Sequence, residues 1–478
     1  MSEGAPHTDH DAVRAVRREF SDWRPWITRV LVITFAALAG LSIVGFTWLT
    51  DVASAGFQRI AAIAWWLPFV WVPAATAAAV WATRRFAAGA AGSGIPQVMA
   101  TLDTAVAAAE IPLFVSLRLA AAKVLLTAWG LLAGLSLGRE GPSVQIAAGV
   151  LHSVRRWLPE RTAINEHGLL IAGGAAGIAA AFNAPLAGVM FAIEELSRRP
   201  EQRSSGLLVA AIVLAGLMGV SAYGNATYFG VIRVPPLDWA LLGPGIVVTL
   251  LSGVAGGLFS RLLLRSLAGS ADRISAWRTR HPIWFAAGCG GAVALIAIVT
   301  QGATWGSGYA YTRGLLDGTQ SAPIVYAFSK FVATWLTVWS GVPGGLFAPA
   351  LAIGAGIGND VALLTHHPDH AALIALGMAG FLAAVTQAPL TAFIIVMEMI
   401  DGHSMVLSLM ACALVASLVA RLIGPPLYAS LAQSQVRQLA TKRAAALVAP
   451  MAAAPIPGGD AGAVDRHEGG APPAPTAS

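Results

Sequence analysis

Apolar stretches long enough to cross a hydrocarbon core follow one another from about residue 27 to about residue 435. The first runs from about 27 to 49, and charge-free runs at 204 to 232 and 240 to 260 each have spanning length. Several others are interrupted by glycine and proline, at GSGIP (92 to 96), GREGP (138 to 142), NAPLAG (183 to 188), GVPGGLFAP (341 to 349) and QAPL (387 to 390). Breaks at membrane depth leave amides and carbonyls unpaired unless protein or an aqueous cavity satisfies them. The pattern therefore predicts half-helices whose free N-terminal amides form anion sites along a transport path.

The pattern also repeats. AAFNAPLAGVMFAIEE at 180 to 195 aligns without gaps on AVTQAPLTAFIIVMEM at 384 to 399, matching Glu194 with Glu398. About forty residues upstream of each APL stands a GxxxP element, GREGP in one half and GLFAP in the other. Two copies of one unit fit a two-repeat transporter, with parallel and inverted arrangements both open.

Composition agrees: 56% of the 478 residues are hydrophobic, 11% are charged, and the mean hydropathy is +0.68, which makes this an all-α polytopic membrane protein. Cys289 and Cys412 lie in apolar surroundings and read as packing residues. No HExxH, CxxC or Walker loop occurs, so neither metal nor nucleotide chemistry is expected. The net charge of +6 is spread between the apolar segments, which fits topology anchoring and not nucleic-acid binding. Arg14, Arg17, Arg18 and Arg24 precede the first run and Arg437, Lys442 and Arg443 follow the last. The positive-inside rule then expects both termini in the cytoplasm and an even number of crossings. The expected divisions are a cytoplasmic N-terminal segment over 1–26, a transport domain with two related halves over 27–435 and a cytoplasmic, disordered tail over 436–478, its end from about 444 rich in Ala, Pro and Gly.

The chemistry resides in the breaks. Ser93, between glycines, offers a neutral hydroxyl to an anion, although a helix cap would use the same residues. Glu140 precedes Pro142 by two residues, which places its carboxylate near a helix N-terminus among free amides. A carboxylate resting there occupies an anion site, so an arriving anion must displace it and protonation becomes linked to anion occupancy. The alternative is a local pair with Arg139. In GGLFAP, the amides of Leu346 and Phe347 extend the same site and the Phe347 ring walls it from water, or simply packs. Glu194 and Glu195 end an apolar run beside Arg198 and Arg199, fitting either solvated boundary charges or a proton port. Lys123 lies deep in AAAKVLLTAWG, where it favours anions electrostatically or snorkels. Tyr428 of PPLY supplies a second neutral donor or an interfacial aromatic.

Taken together, GSGIP, GREGP, GGLFAP and the tyrosine of PPLY resemble the CLC family of chloride channels and proton-coupled chloride transporters, over roughly residues 30 to 435. The resemblance implies a bacterial-type homodimer of independent pores, each built from inverted repeats of tilted, partly broken helices, multi-pass in the inner membrane with both termini cytoplasmic. It implies that Ser93 and Tyr428, with the amides around Leu346 and Phe347, bind the central chloride. Glu140 resembles the external gating glutamate, Glu195 the internal proton glutamate, and Glu194 a residue shaping the water route. Arg139 and Lys123 resemble positive residues that favour anions near the pathway. Gln97 stands where several relatives have Glu, and Leu346 replaces the commoner Ile. Ser93 is the residue type of chloride-selective members, whereas nitrate-selective members carry proline there and the fluoride-exporting branch differs around this loop. No counterpart of the CBS pair of many eukaryotic members is expected, so neither is nucleotide regulation. With carboxylates at both Glu140 and Glu195, the resemblance implies chloride–proton exchange without covalent chemistry, cofactor or metal. A passive voltage- or pH-gated chloride channel is the alternative.

Overall fold

The computed structural model describes residues 23–159, 165–197, 206–224, 227–230, 239–269 and 272–452. Arg14, Arg17, Arg18, Arg198, Arg199 and the end of the tail lie outside these described residues. Regular structure within them is helical, apart from one isolated antiparallel bridge between Gly138 and Gly345. Seven of the described helices are long and apolar enough to cross a membrane: Trp23–Ile63, Ala108–Leu132, Gly206–Tyr223, Trp239–Ala268, Pro282–Val299, Phe347–Thr365 and His403–Ile423. The protein is thus an all-α, multi-pass membrane protein.

Element lengths depart from the apolar runs in ways that hydrogen bonding explains. The first helix, Trp23–Ile63, continues well past residue 49. Its polar segment stays helical because Thr50 Oγ1 donates to Thr47 O and Ser54 Oγ to Thr50 O, each at 2.8 Å, so the hydroxyls are satisfied along the helix. At about 1.5 Å per residue this helix is about 60 Å long, twice a hydrocarbon core, so it runs obliquely or projects beyond the membrane. Among the described residues of the run at 204 to 232, the helix spans Gly206–Tyr223. Gly224, at φ 78°, ends it, and Tyr228 lies in a turn beyond. The final helix, Leu427–Ala452, continues past residue 436, the boundary expected between transport domain and tail. Ala444, Ala445 and Ala446 are the strongest of helix formers.

Two helices are shorter than a span and buried on every side: all residues from Gly168 to Phe182 in Glu166–Phe182, and from Ala372 to Thr386 in His370–Thr386. Apolar all round, they belong to the interior. Each packs backbone-close against a helix that begins at one of the broken motifs. A Cβ on Gly173 would lie 2.7 Å from Ala148 Cα in the helix Glu140–His152, and one on Gly358 of Phe347–Thr365 would lie 2.6 Å from Ile374 Cα. Small residues permit this approach where packing, and not hydrophobic exclusion, holds helices together.

The two halves are inverted with respect to each other. Glu194, close after the helix Pro185–Phe191, accepts the amides of Leu390 (3.0 Å) and Thr391 (2.6 Å) at the start of Pro389–Ile400. Glu398, near the end of Pro389–Ile400, accepts those of Leu186 (3.3 Å) and Ala187 (2.7 Å) at the start of Pro185–Phe191. Reciprocal tail-to-head contact of this kind requires the two segments to run antiparallel. The preceding turns match as well: Asn183 and Gln387, each just before APL, adopt left-handed conformations at φ 54° and 58°.

Candidate functional site

The helices Glu140–His152 and Phe347–Thr365 begin side by side at the bridge between the halves. Gly138 and Gly345 exchange both backbone hydrogen bonds, N to O at 2.8 and 2.7 Å. A side chain would prevent this, because a Cβ on Gly345 would stand 2.9 Å from both Gly138 O and Gly141 N. The bridge directs the unpaired first-turn amides of two helices toward one place, which is how backbone alone builds an anion site. Pro142 and Pro349 occupy those first turns, where a missing N–H forfeits nothing.

The Ser93 loop closes over these N-termini. Gly94, at φ 112°, turns the chain into the helix Ile95–Thr101, and Gly344 N donates to Gly92 O at 3.2 Å. Gln97 stitches the loop from within, its Oε1 accepting the Gly94 amide at 2.9 Å while its Nε2 donates to Ala91 O. A glutamate at 97 would accept but could not donate, so the departure noted in the sequence has a local task. Lys123 neither snorkels nor reaches water: its ammonium is fully buried and donates to Ala90 O at 2.6 Å and Gly92 O at 2.8 Å. It thereby anchors the backbone that presents Ser93, and brings its positive charge within one residue of that hydroxyl.

Ser93 Oγ lies directly against Gly141. The ring of Tyr428 stacks on Phe347, with centroids 5.9 Å apart and planes 14° apart. Ser93 and Tyr428 are both buried, and their hydroxyls are close enough to influence each other. Neither, however, has a partner with hydrogen-bond geometry among the described residues. Two buried hydroxyl donors beside two helix N-termini form a donor set suited to an anion and unsuited to a metal ion. Among the described residues, no group of three or more His, Cys, Asp and Glu stands together to hold a metal.

Glu140 is wholly buried, with its carboxylate at the paired N-termini. Its carboxylate is within electrostatic reach of its own amide and of that of Ala348, the second residue of the opposing helix. Its Oε1 also lies 3.4 Å from the Tyr228 hydroxyl, which donates to it. Arg139 does not pair with Glu140; its guanidinium bonds Asp51 Oδ1 at 2.7 Å and sits over the Tyr228 ring, 5.8 Å from the centroid. Arg139, Asp51 and Tyr228 line a cavity of about 590 Å³ that also reaches Ser307 and Arg313.

Glu195 lies at a second opening. It is 3% exposed, within a single π-turn over Ala192–Leu196, and lines a cavity of about 260 Å³ with Met99, Asp103, Ser197 and Gln433. A π-turn adds a residue to the helical register and re-aims the side chains that follow, a common device at functional sites. Between the cavities stands an aromatic cluster in which Phe347 meets Phe182 at 6.2 Å, Phe191 at 6.4 Å and Tyr428. Tyr428 is within electrostatic reach of both Glu140 and Glu195. Glu194, next to Glu195 in the chain, is held at the helix start described above. Sequence reasoning passed over Tyr228 and Asp51: the first was absorbed into an apolar run, and the second shows its importance only through a contact 88 residues away in the chain.

Residues 75–421 match the family model for voltage gated chloride channels, about three quarters of the chain. The chain belongs to the CLC family. Among its CLC relatives, the H(+)/Cl(-) exchange transporter ClcA of Klebsiella pneumoniae (strain 342) is 30% identical over 456 residues, spanning 91% of this chain and 94% of that one. ClcA of Citrobacter koseri is 29% identical over 449 residues, with 90% and 93% covered. Among solved CLC structures, a slow cyanobacterial Cl-/H+ antiporter superposes with a TM-score of 0.72 at 27% identity, covering 86% of this chain and 98% of the other. A CLC-type fluoride/proton antiporter shares the fold with a TM-score of 0.67 at 22% identity, over 84% and 96% of the two chains.

Proposed function

We propose that this CLC protein is a secondary active antiporter that exchanges chloride for protons across a bilayer. The observation that carries the proposal is the position of the Glu140 carboxylate, buried at two helix N-termini and within electrostatic reach of the Ala348 amide, where a transported anion would also bind. Chloride and carboxylate are both anions and cannot share these amides. Chloride arriving from the central position, between the hydroxyls of Ser93 and Tyr428 and the amides of Leu346 and Phe347, displaces the carboxylate outward. In contact with the outer cavity the carboxylate takes up a proton, and a neutral Glu140 no longer competes for the amides. Its return carries that proton inward, past the aromatic cluster, to Glu195 at the inner cavity.

Glu195 supports exchange over passive conduction, since a channel has no need of a buried carboxylate at the inner opening. The names of the ClcA relatives and of the cyanobacterial antiporter favour the same reading. Lys123 holds the Ser93 loop, Arg139 contributes positive potential at the outer cavity, and Glu194 acts at the edge of the inner water route through the helix start it caps. In this reading the protein is a homodimer in a bacterial plasma membrane, with both termini cytoplasmic, a transport domain over 27–435 and no cofactor or nucleotide.

The test is reconstitution in liposomes under a chloride gradient, with the membrane potential held near zero by a potassium ionophore while external chloride and pH are recorded together. Uphill proton movement driven by chloride is expected, lost in Glu140→Gln, which keeps anion flux. In Glu195→Gln, chloride should continue to move while proton movement falls. Chloride flux without coupled protons in the unmodified protein would make it a channel.

A further inference from the structure

We infer that Tyr228 is an outer latch, a positioning residue that holds Glu140 in the anion site and sets how readily it leaves for the external side. The inference rests on Glu140 being the gate. Three features of the turn support it, and the first is contact. The Tyr228 hydroxyl donates to Glu140 Oε1 across 3.4 Å, whereas Oε2 has no partner with hydrogen-bond geometry among the described residues. Apart from backbone amides, the phenol is the hydrogen-bond donor that reaches the carboxylate, and it does so from the wall of the outer cavity.

The second feature is fixation. Tyr228 lies in a turn past the end of the helix Gly206–Tyr223, a poor place from which to hold anything unless the turn is itself held. Tyr309 Oη donates to Tyr228 O at 2.8 Å, and Phe229 N donates to Met399 O at 3.0 Å. The Tyr228 ring makes edge contacts with Phe182 (5.6 Å), Phe229 (5.1 Å) and Tyr309 (4.9 Å). Arg139, itself tied to Asp51, covers the ring from another side. Backbone and ring are thus anchored separately, and rotation of the ring out of the way would break several contacts together.

The third is direction. Phe182 touches both Phe347, in the wall of the central site, and Tyr228, at the outer cavity. The latch therefore continues the same aromatic wall to the outside, and the contact that Glu140 makes with the phenol in the anion site has to change when the carboxylate moves toward the outer cavity. A hydrogen bond donated to a carboxylate favours its charged form, so the latch opposes the protonation that accompanies release. The charged and titratable groups facing the pair are Arg139 and Asp51, Tyr223 at the end of its helix, Tyr309 and Arg313 from the helix Tyr309–Leu316, and Tyr428 from the inner side. None is a histidine.

The experiment measures turnover in liposomes against external pH for the unmodified protein, Tyr228→Phe, Glu140→Gln and the double variant. Tyr228→Phe keeps the ring and its packing while deleting the donor. Its activation by external acid should shift to higher pH by about one unit, because the carboxylate protonates more readily, with coupling and the response to internal pH retained. In the Glu140→Gln background the same substitution should change nothing. An unchanged external pH profile in Tyr228→Phe, or an equal shift in the double variant, overturns the latch. Tyr309→Phe, which frees the Tyr228 carbonyl at a distance from Glu140, should shift the profile in the same direction by a smaller amount; no shift in either variant leaves the turn a packing feature. If Glu140→Gln itself keeps the external pH dependence, the gate assignment fails first and the latch with it, a result distinct from the two above.

Discussion

Lys123 and Lys330 hold equivalent loops in the two halves of the protein. Lys330 donates to Thr304 O at 3.0 Å and Gly306 O at 2.8 Å, as Lys123 does to Ala90 O and Gly92 O, and both ammonium groups are fully buried. The loops share a sequence, Gly92-Ser93-Gly94 and Gly306-Ser307-Gly308, and each leads into a short helix, Ile95–Thr101 or Tyr309–Leu316. Carbonyls turned inward by such a loop need donors, and a buried lysine supplies two hydrogen bonds from a single group. The inverted repeat thus extends to the loops, although only one of them stands beside the paired helix N-termini.

That asymmetry separates two roles for Lys123. Lys123→Met and Lys330→Met each leave two buried carbonyls without their donor, a loss of about 2 to 4 kcal/mol that should lower the unfolding temperature in detergent to a similar degree. Chloride affinity measured by calorimetry should fall at least tenfold in Lys123→Met, where the loop carries Ser93, and stay within twofold in Lys330→Met. Equal losses of affinity would mean that the lysines act through long-range charge and not through the loops.

Much of the site was legible in the sequence because its parts are local. A glutamate two residues before a proline, in a glycine-flanked break, announces a helix N-terminus by chain geometry alone, and the helix Glu140–His152 begins at that glutamate. Ser93 could be read in the same way from its glycines. The APL repeat is visible because it aligns without gaps; spacing alone leaves its orientation open, the family resemblance implies inversion, and the contacts of Glu194 and Glu398 with each other's helix starts agree with it. The second Gly-Ser-Gly loop escaped notice since Tyr309 follows it where Ile95 and Pro96 follow the first. Contacts between distant segments, such as Gly138 with Gly345, Arg139 with Asp51 and Tyr228 with Glu140, leave no trace in spacing along the chain.

Gly141 is where the site leaves no room for a side chain. A Cβ there would overlap Ser93 Oγ and stand 3.2 Å from Gly345 Cα. Gly141→Ala should therefore push the Ser93 loop off the helix N-termini while leaving the distant helices in place. Equilibrium chloride binding is expected to weaken more than tenfold, with the circular dichroism spectrum unchanged. Affinity within threefold of the unmodified protein would contradict the close packing of Ser93 on this helix.

The reciprocal capping by Glu194 and Glu398 makes a prediction about stability. An N-terminal cap is worth about 1 to 2 kcal/mol, and here each carboxylate serves two amides. Glu194→Ala and Glu398→Ala should each destabilise the detergent-solubilised protein by about that amount. Because both glutamates join the same pair of segments, the double variant should lose less than the sum of the two. Full additivity in thermal unfolding would mean that the two caps act independently.

Asp51 offers a way to alter the approach of chloride without touching its binding site. Its carboxylate is 63% exposed and pairs with Arg139, whose side chain is 15% exposed, at the wall of the cavity that the proposed mechanism places on the outer side. An exposed pair of this kind contributes about 0 to 1 kcal/mol to stability, so Asp51→Asn should leave the unfolding temperature nearly unchanged. The electrostatic consequence is larger, because removing one negative charge leaves the Arg139 guanidinium uncompensated in a concave wall that concentrates its field. External chloride should then be drawn in more strongly, lowering the apparent KM for chloride from the outer side by about two- to fivefold at low ionic strength. Raising the ionic strength with an impermeant salt to about 0.5 M shortens the Debye length to roughly 4 Å and should abolish the difference. Internal chloride dependence should not change, since Asp51 lines only the outer of the two cavities described. A KM difference that persists at high salt would point to a changed site geometry through Arg139 and Tyr228, and would show that the ion pair positions the outer wall more than it tunes the field.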